Sequence, residues 1–113
     1  MKTFLALYMG SMSPDATSPA DLGEETIAAG MAAWHGWMAR HADVIVDTGG
    51  PLGKTLKASA DGVAGMRNAV TGYVIVRAET HEAAAALFEG HPHFTIFPGD
   101  SVEVMECMPI PGR

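Results

Sequence analysis

The sequence predicts one α+β domain, a four-stranded antiparallel sheet with two helices laid on one of its faces. Three observations point there. Two β-rich apolar runs, residues 3–9 and 70–78, are each followed by a helix-forming stretch and then a further strand, so the chain reads β-α-β twice over. Ile27, Met31, Trp34 and Met38 step by four, three and four residues, which places them on one stripe of a helix. Finally, the strands are apolar at both alternations, which a sheet with one wet face is not.

The elements follow in order. Residues 3–9 form the first strand, closed by Gly10, and residues 11–17 are loop, with Pro14 and Asp15 as turn formers. Two helix starts then compete. Ser18-Pro19-Ala20-Asp21 offers serine at N-cap, proline at N1 and an acid at N3, while Asp21 with Glu24 offers a second start, with Gly23 able to break the segment between them. Along the helix, Gly30, Trp37 and His41 flank one edge of the apolar stripe and His35 lies at the other. The helix ends near Ala42-Asp43, because Val44-Ile45-Val46 is a short β-branched run, and Asp47-Thr48-Gly49-Gly50-Pro51 reads as a turn cluster.

Residues 54–58 read as a short edge strand, whose lysines suit an exposed rim. Residues 59–69, with Asp61-Gly62 and Gly65, read as a hairpin-like loop. After the strand 70–78, Thr80 caps a second helix and Glu82 faces its positive end. Residues 83–88 form its body, and Gly90 followed by Pro92 stops it. Residues 101–107 alternate into a last strand, and Pro109-Ile110-Pro111-Gly112 is a tail. This order is the split βαβ arrangement of ferredoxin-like domains.

A length of 113 residues fits a single domain spanning the chain. Hydrophobic residues make up 48% and charged residues only 18%, with a mean hydropathy of +0.13. A small domain has too much surface for that composition to stand alone, so a partner surface is expected. Leu5, Leu7 and Met9 alternate with Phe4, Ala6 and Tyr8, and Tyr73 and Ile75 oppose Val74 and Val76. Two helices cover one face only. A homodimer paired through the uncovered sheet faces is the expected solution.

The formal charge of −6 and the seven Lys and Arg exclude nucleic acid and an anionic membrane surface as partners, since both need a basic stripe. A lone cysteine, Cys107, allows neither an intrachain disulfide nor a cysteine-built zinc cage, and reads as a small packing residue. The first nine residues mimic a signal peptide, but the apolar run is short and Ser13-Pro14-Asp15 lacks a small-residue cleavage pattern. A cytoplasmic location is the expectation.

An ordered set of short motifs runs through the chain: Trp34 to Met38, Gly50-Pro51-Leu52-Gly53, Asp61-Gly62, Thr71-Gly72-Tyr73-Val74, the helix after Thr80, and Val102-Glu103-Val104. The set resembles the YCII-related (DGPF) family of the dimeric α+β barrel superfamily over nearly the whole chain. The resemblance implies a ferredoxin-like protomer that pairs face to face through its sheet and holds a cavity between sheet and helices. Asp61-Gly62-Val63-Ala64 stands where the family has Asp-Gly-Pro-Phe, and Val102 to Glu106 resembles its closing Ile-Glu-Val-Arg-Pro without the Arg-Pro. Some members carry a His/Asp pair proposed as a catalytic dyad, and the nearest match here is His41 with Asp47.

His91-Pro92-His93 is the most distinctive local signal. Proline favours an extended residue before it, and extended residues two apart face the same way. Both imidazoles then enter one cavity, as an acid–base pair or, with a third ligand from Asp47, Glu103 or His41, as metal ligands. The alternative is a helix stop with two surface or cap-bonding histidines. Trp34, on the apolar stripe, is assigned to the core, and Trp37, at the edge, is the better pocket candidate. His41 and Asp47 read as a base and its orienting carboxylate, or as a helix-end histidine and a turn-capping aspartate. Glu103 faces opposite to Val102 and Val104 and needs a partner if that side is interior. Gly53-Lys54-Thr55 invites comparison with a phosphate loop, but the glycine spacing is wrong and no helix follows.

The expected function is therefore small-molecule binding by a homodimer, with Trp34, Trp37, Tyr73 and Glu103 around the ligand. One form of it is a cofactor-free enzyme using His91 or His93 as proton shuttle. Another is a non-catalytic ligand-binding or accessory module, and a weaker third is a His-ligated metal or heme protein.

Overall fold

The main sheet has the split βαβ arrangement that the order of strands and helices predicts. The computed structural model describes residues 1–112. Strands β1 (Lys2–Met9), β2 (Ile45–Pro51), β5 (Val70–Ala78) and β6 (Ser101–Glu106) form an antiparallel sheet in the order β2-β5-β1-β6. Strands β3 (Thr55–Ser59) and β4 (Gly62–Met66) form a separate ribbon. The helices are α1 (Glu24–Arg40), α2 (His81–Ala86) and a one-turn α3 (Pro92–Thr95). No helix among the described residues is long and apolar enough to cross a membrane.

The two central strands show strict alternation of burial. Phe4, Ala6 and Tyr8 from β1, with Val74, Val76 and Ala78 from β5, meet Trp37, Ala84 and Phe88 in the core. Leu5, Leu7, Met9, Tyr73 and Ile75 occupy the other alternation and stay half-exposed. Leu5 is paired with Ile75 on one side and Met105 on the other, and Leu7 with Tyr73 and Glu103. The helix-free face is thus a continuous apolar tract, interrupted at β6 by Glu103 and at the strand ends by Thr3 and Arg77.

Both candidate starts of the first helix are used. Ser18 caps a 3-10 turn at Pro19–Asp21 with a reciprocal capping box, and α1 begins afresh after Gly23. The buried line of α1 differs from the predicted stripe. Ile27 and Met31 are exposed, whereas Gly30 and Trp37 are buried. The cause is Gly30: its missing side chain admits the Phe97 ring and Ile96, so the helix leans on that side.

Three further expectations are corrected. The cluster Asp47-Thr48-Gly49-Gly50-Pro51 is not a turn but the continuation of β2, with register shifts on either side of Asp47. Gly49, at φ +62°, passes so close to the Tyr73 carbonyl that a Cβ has no room. The extra strand does not edge the main sheet. It pairs with β4, in what the sequence reads as loop, through a hairpin turn with Gly62 at φ +101°. The ribbon's register puts Leu56 and Gly65, then Ala58 and Val63, on one exposed apolar face. Because β3 begins at Thr55, a strand takes the place of the helix that a phosphate loop needs.

The second half follows prediction closely. The Thr80 hydroxyl accepts the Ala83 N–H at 3.0 Å to start α2, and Gly90, at φ +69°, turns the chain out. The stop at Pro92 is also a start. His91 becomes an N-cap and Pro92 the first residue of α3.

Candidate functional site

A cavity of about 450 Å3 opens between α1, the bulged end of β2, the adjoining ends of β1 and β5, and the segment after α3. Tyr8, Met31, Trp34, Met38, His93 and Phe97 are among its walls, and the Thr48-Gly49-Gly50-Pro51 segment closes one side. Its size suits a small organic molecule, and its lining of aromatic and sulfur-containing side chains suits an apolar body.

A cluster of polar side chains surrounds Tyr8. His91 is 1% exposed, with its ring 5.2 Å from Tyr8, 4.6 Å from Trp34 and 4.7 Å from Trp37. Its Nδ1 accepts the His93 backbone N–H at 3.0 Å, which caps α3 and keeps that nitrogen unprotonated. Burial, followed by the charges His93 and His41 would carry, pushes His91 down to about 4. It is therefore a neutral imidazole whose single proton is on Nε2. That nitrogen faces the Tyr8 oxygen at 3.5 Å, a long hydrogen bond in which Tyr8 can only accept.

This directionality sets the chemistry of Tyr8. Burial holds its phenol well above the usual range, so it stays protonated. With His91 donating to the oxygen, the Tyr8 proton is left for another acceptor. Tyr8 is a donor and not a base.

His93 supplies the complementary group. Its Nε2 must donate to the Met9 carbonyl at 2.8 Å, because a carbonyl only accepts, so in the neutral imidazole Nδ1 carries the lone pair. No protein group is bonded to that Nδ1, nor to the Trp34 indole N–H. Every fully enclosed side-chain nitrogen or oxygen among the described residues has a partner, so neither of these two atoms is fully enclosed, and both residues line the cavity. Among the residues lining the site, Tyr8 and Trp34 thus have a donor to offer and His93 an acceptor, beside a largely apolar wall.

Of the residues singled out from sequence, His93, Trp34 and Tyr73 line this cavity. His91 lies behind Tyr8 and not on the cavity wall. The rings of His91 and His93 do meet at Tyr8, at 5.2 and 5.3 Å, but not because both are extended: His93 is helical, and Pro92 sets it there as N1. The two tryptophans exchange roles. Trp37 is 2% exposed and its N–H donates to the Leu87 carbonyl at 2.9 Å, which makes it core. Trp34 is the pocket wall, for the same reason that the buried line of α1 is shifted toward Gly30.

His41 and Asp47 form no pair. His41 caps the C-terminus of α1 with its ring 4.8 Å from Trp37, and the Asp47 carboxylate accepts the Gly49 N–H at 2.8 Å. Glu103 is exposed on the helix-free face, opposite to Val102 and Val104, which pack against the core. Among the described residues no group of three or more His, Cys, Asp or Glu is placed to hold a metal ion. Tyr8 was missed as a site residue. A signal exists: it is the one polar inward position of β1, at the strand end just before Gly10.

Fold and cavity define the class: a ferredoxin-like α+β domain with a ligand-sized pocket between sheet and helices. No family model matches the chain, and no curated protein matches it. Among solved structures, the chain is similar to 5-chloro-2-hydroxyhydroquinone dehydrochlorinase (TftG) from Burkholderia phenoliruptrix AC1100, in complex with 2,5-dihydroxybenzoquinone. The TM-score is 0.56 and the identity 18%, over 94% of this chain and 93% of that one. The likeness is one of fold.

Proposed function

We propose that this protein binds a small, flat, oxygen-bearing organic molecule in the Tyr8–His93 cavity and moves a proton on it without a cofactor. The observation that carries this reading is the fixed polarity of the cluster, with Tyr8 a donor, His93 an acceptor and His91 holding Tyr8 in that role. His93 Nδ1 takes a proton from a hydroxyl, or from a carbon made acidic by a carbonyl. Tyr8 hydrogen-bonds the oxygen on which negative charge develops, and return of the proton from His93 completes the cycle. The apolar walls exclude water and accept a ring face. That TftG acts on a hydroxylated ring and holds a dihydroxybenzoquinone supports the ligand class.

The natural probe is 2,5-dihydroxybenzoquinone. It should quench the fluorescence of Trp34 saturably, with the quenching reduced in Trp34→Phe. The wild-type protein should accelerate exchange of its ring hydrogens with deuterated water, followed by NMR. His93→Gln should keep binding within a few-fold and slow exchange by about a hundredfold or more. Saturable binding without any accelerated exchange would assign the cavity to a non-catalytic ligand-binding role. Absence of saturable binding would remove the proposal.

The assembly is part of the same reading. The open apolar face of the sheet supports a homodimer through sheet faces, as does the resemblance to YCII-related proteins. Light scattering at micromolar concentration should give twice the 11.8 kDa chain mass. Leu5→Arg, placed between Ile75 and Met105 on the open face, should give a folded monomer. A wild-type monomer would overturn the dimer. A cytoplasmic location belongs to the proposal too, supported by an exposed free cysteine, Cys107.

A further inference from the structure

Beside the apolar cavity lies a second one of about 430 Å3, between the loop after β1 and the connection from α3 to β6. Thr71, His93 and Phe97 belong to the walls of both, so the two spaces lie one side chain apart. The second is the more polar of the two. Ser11, Ser13, Thr17, Ser18 and Arg67 are among the residues that line the second cavity, while no Asp or Glu is.

The hydrogen bonding of these serines leaves them as donors. Ser11 Oγ accepts the Ser13 N–H at 3.1 Å, Ser13 Oγ the Asp15 N–H at 3.3 Å, and Ser18 Oγ the Ala20 N–H at 3.2 Å. A hydroxyl that accepts a backbone N–H still has its own proton to give. Arg67 is likewise uncommitted: the ion pair among the described residues joins Lys2 to Glu106, and Arg67 is in none. In a chain of formal charge −6 with only seven Lys and Arg, an arginine that shares a cavity lining with four hydroxyl residues and no carboxylate makes the lining rich in donors.

We propose that this second cavity is an anion subsite, in which Arg67 and the serine hydroxyls hold a carboxylate or phosphate group of a small molecule. The proposal rests on the apolar cavity being the ligand site, and it narrows the ligand to one that joins a flat apolar body to an anionic group. The body lies against Trp34 and Tyr8, and the anion reaches past His93 toward Arg67. Arg67 acts here as a binding residue, its planar fork matching two oxygens of the anion.

Calorimetric titration with benzoate, phenyl phosphate, neutral benzamide and inorganic phosphate tests this. Benzoate or phenyl phosphate should bind about tenfold or more tightly than benzamide, as one charge-assisted contact implies. Whichever binds better identifies carboxylate or phosphate as the source of the charge. Arg67→Met should abolish the preference and leave benzamide affinity unchanged, and Arg67→Lys should retain part of it. Arg67 is exposed, so neither variant removes core contacts; circular dichroism checks the fold. Equal affinity for benzoate, phenyl phosphate and benzamide would overturn the subsite while leaving the apolar cavity as a binding site, and so would a preference that survives Arg67→Met. Arg67-dependent binding of inorganic phosphate without benzamide binding would support the subsite and overturn the cavity reading. Binding of none of the four would overturn both.

Discussion

Trp37→Ala should lower the unfolding free energy by about 3–5 kcal/mol, whereas Trp34→Ala should cost roughly 1–2 kcal/mol. Trp37 is enclosed, with its ring 5.0 Å from Phe88 and 4.7 Å from His91, and its N–H is bonded to the Leu87 carbonyl. Truncation leaves a cavity under the sheet and strips that carbonyl of its donor. Trp34 is only half-buried and faces the ligand cavity, so its loss widens a space that already exists. Urea denaturation at neutral pH measures both. The reverse ranking would mean that α1 packs on the Ile27–Met31–Trp34–Met38 stripe after all.

Stability should also fall by about 3 kcal/mol as pH drops from 6.5 to about 4, through His91 alone. In the unfolded chain this histidine takes a proton near its ordinary 6.5, while in the fold it resists until about 4. Between those values the unfolded state binds more protons, so acid favours unfolding. The contribution is fully present above 6.5 and has disappeared below about 4. His91→Asn keeps an N-cap acceptor for the His93 N–H and removes the titration. Its unfolding free energy should therefore vary less between pH 7 and pH 5 than that of the wild type. An identical pH dependence in the two proteins would show that His91 is not the buried neutral group. The test also bears on the site, because a charged His91 loses the Nδ1 acceptor that takes the His93 N–H and fixes the ring beside Tyr8.

Much of the fold was legible because its signals are local. Alternation in residues 3–9 and 70–78, the Thr80 cap and the Gly90 stop depend on neighbours within a turn or two, and all appear where expected. The misread pieces depend on distant groups. The Asp47 to Pro51 stretch has turn composition, yet pairing with Tyr73 and Gly72 across the sheet draws it into β2. Residues 62–66 are rich in glycine and poor in strand formers, and become a strand only through the ladder with β3. Composition cannot show a partner strand.

The candidate site divides in the same way. The His91-Pro92-His93 signal was visible, since proline between two histidines constrains the backbone wherever it occurs. Which imidazole would be sealed behind a tyrosine and which would keep a lone pair at the cavity was not, because Tyr8 is far away in the chain. The exchange of Trp34 and Trp37 came from Gly30 meeting Phe97, again a contact between distant segments.

By itself, then, the amino-acid order determined the succession of the four main-sheet strands and the helices between them, the apolar character of both sheet faces and the net charge of −6. These are consequences of periodicity, capping and composition, each set within a few residues. Tertiary structure alone decided the rotation of α1, the tautomer of His91 and the gathering of Tyr8, Trp34 and His93 at one cavity. Those follow from packing, where a missing Cβ or a single backbone N–H from elsewhere in the chain chooses between arrangements that local sequence leaves equal.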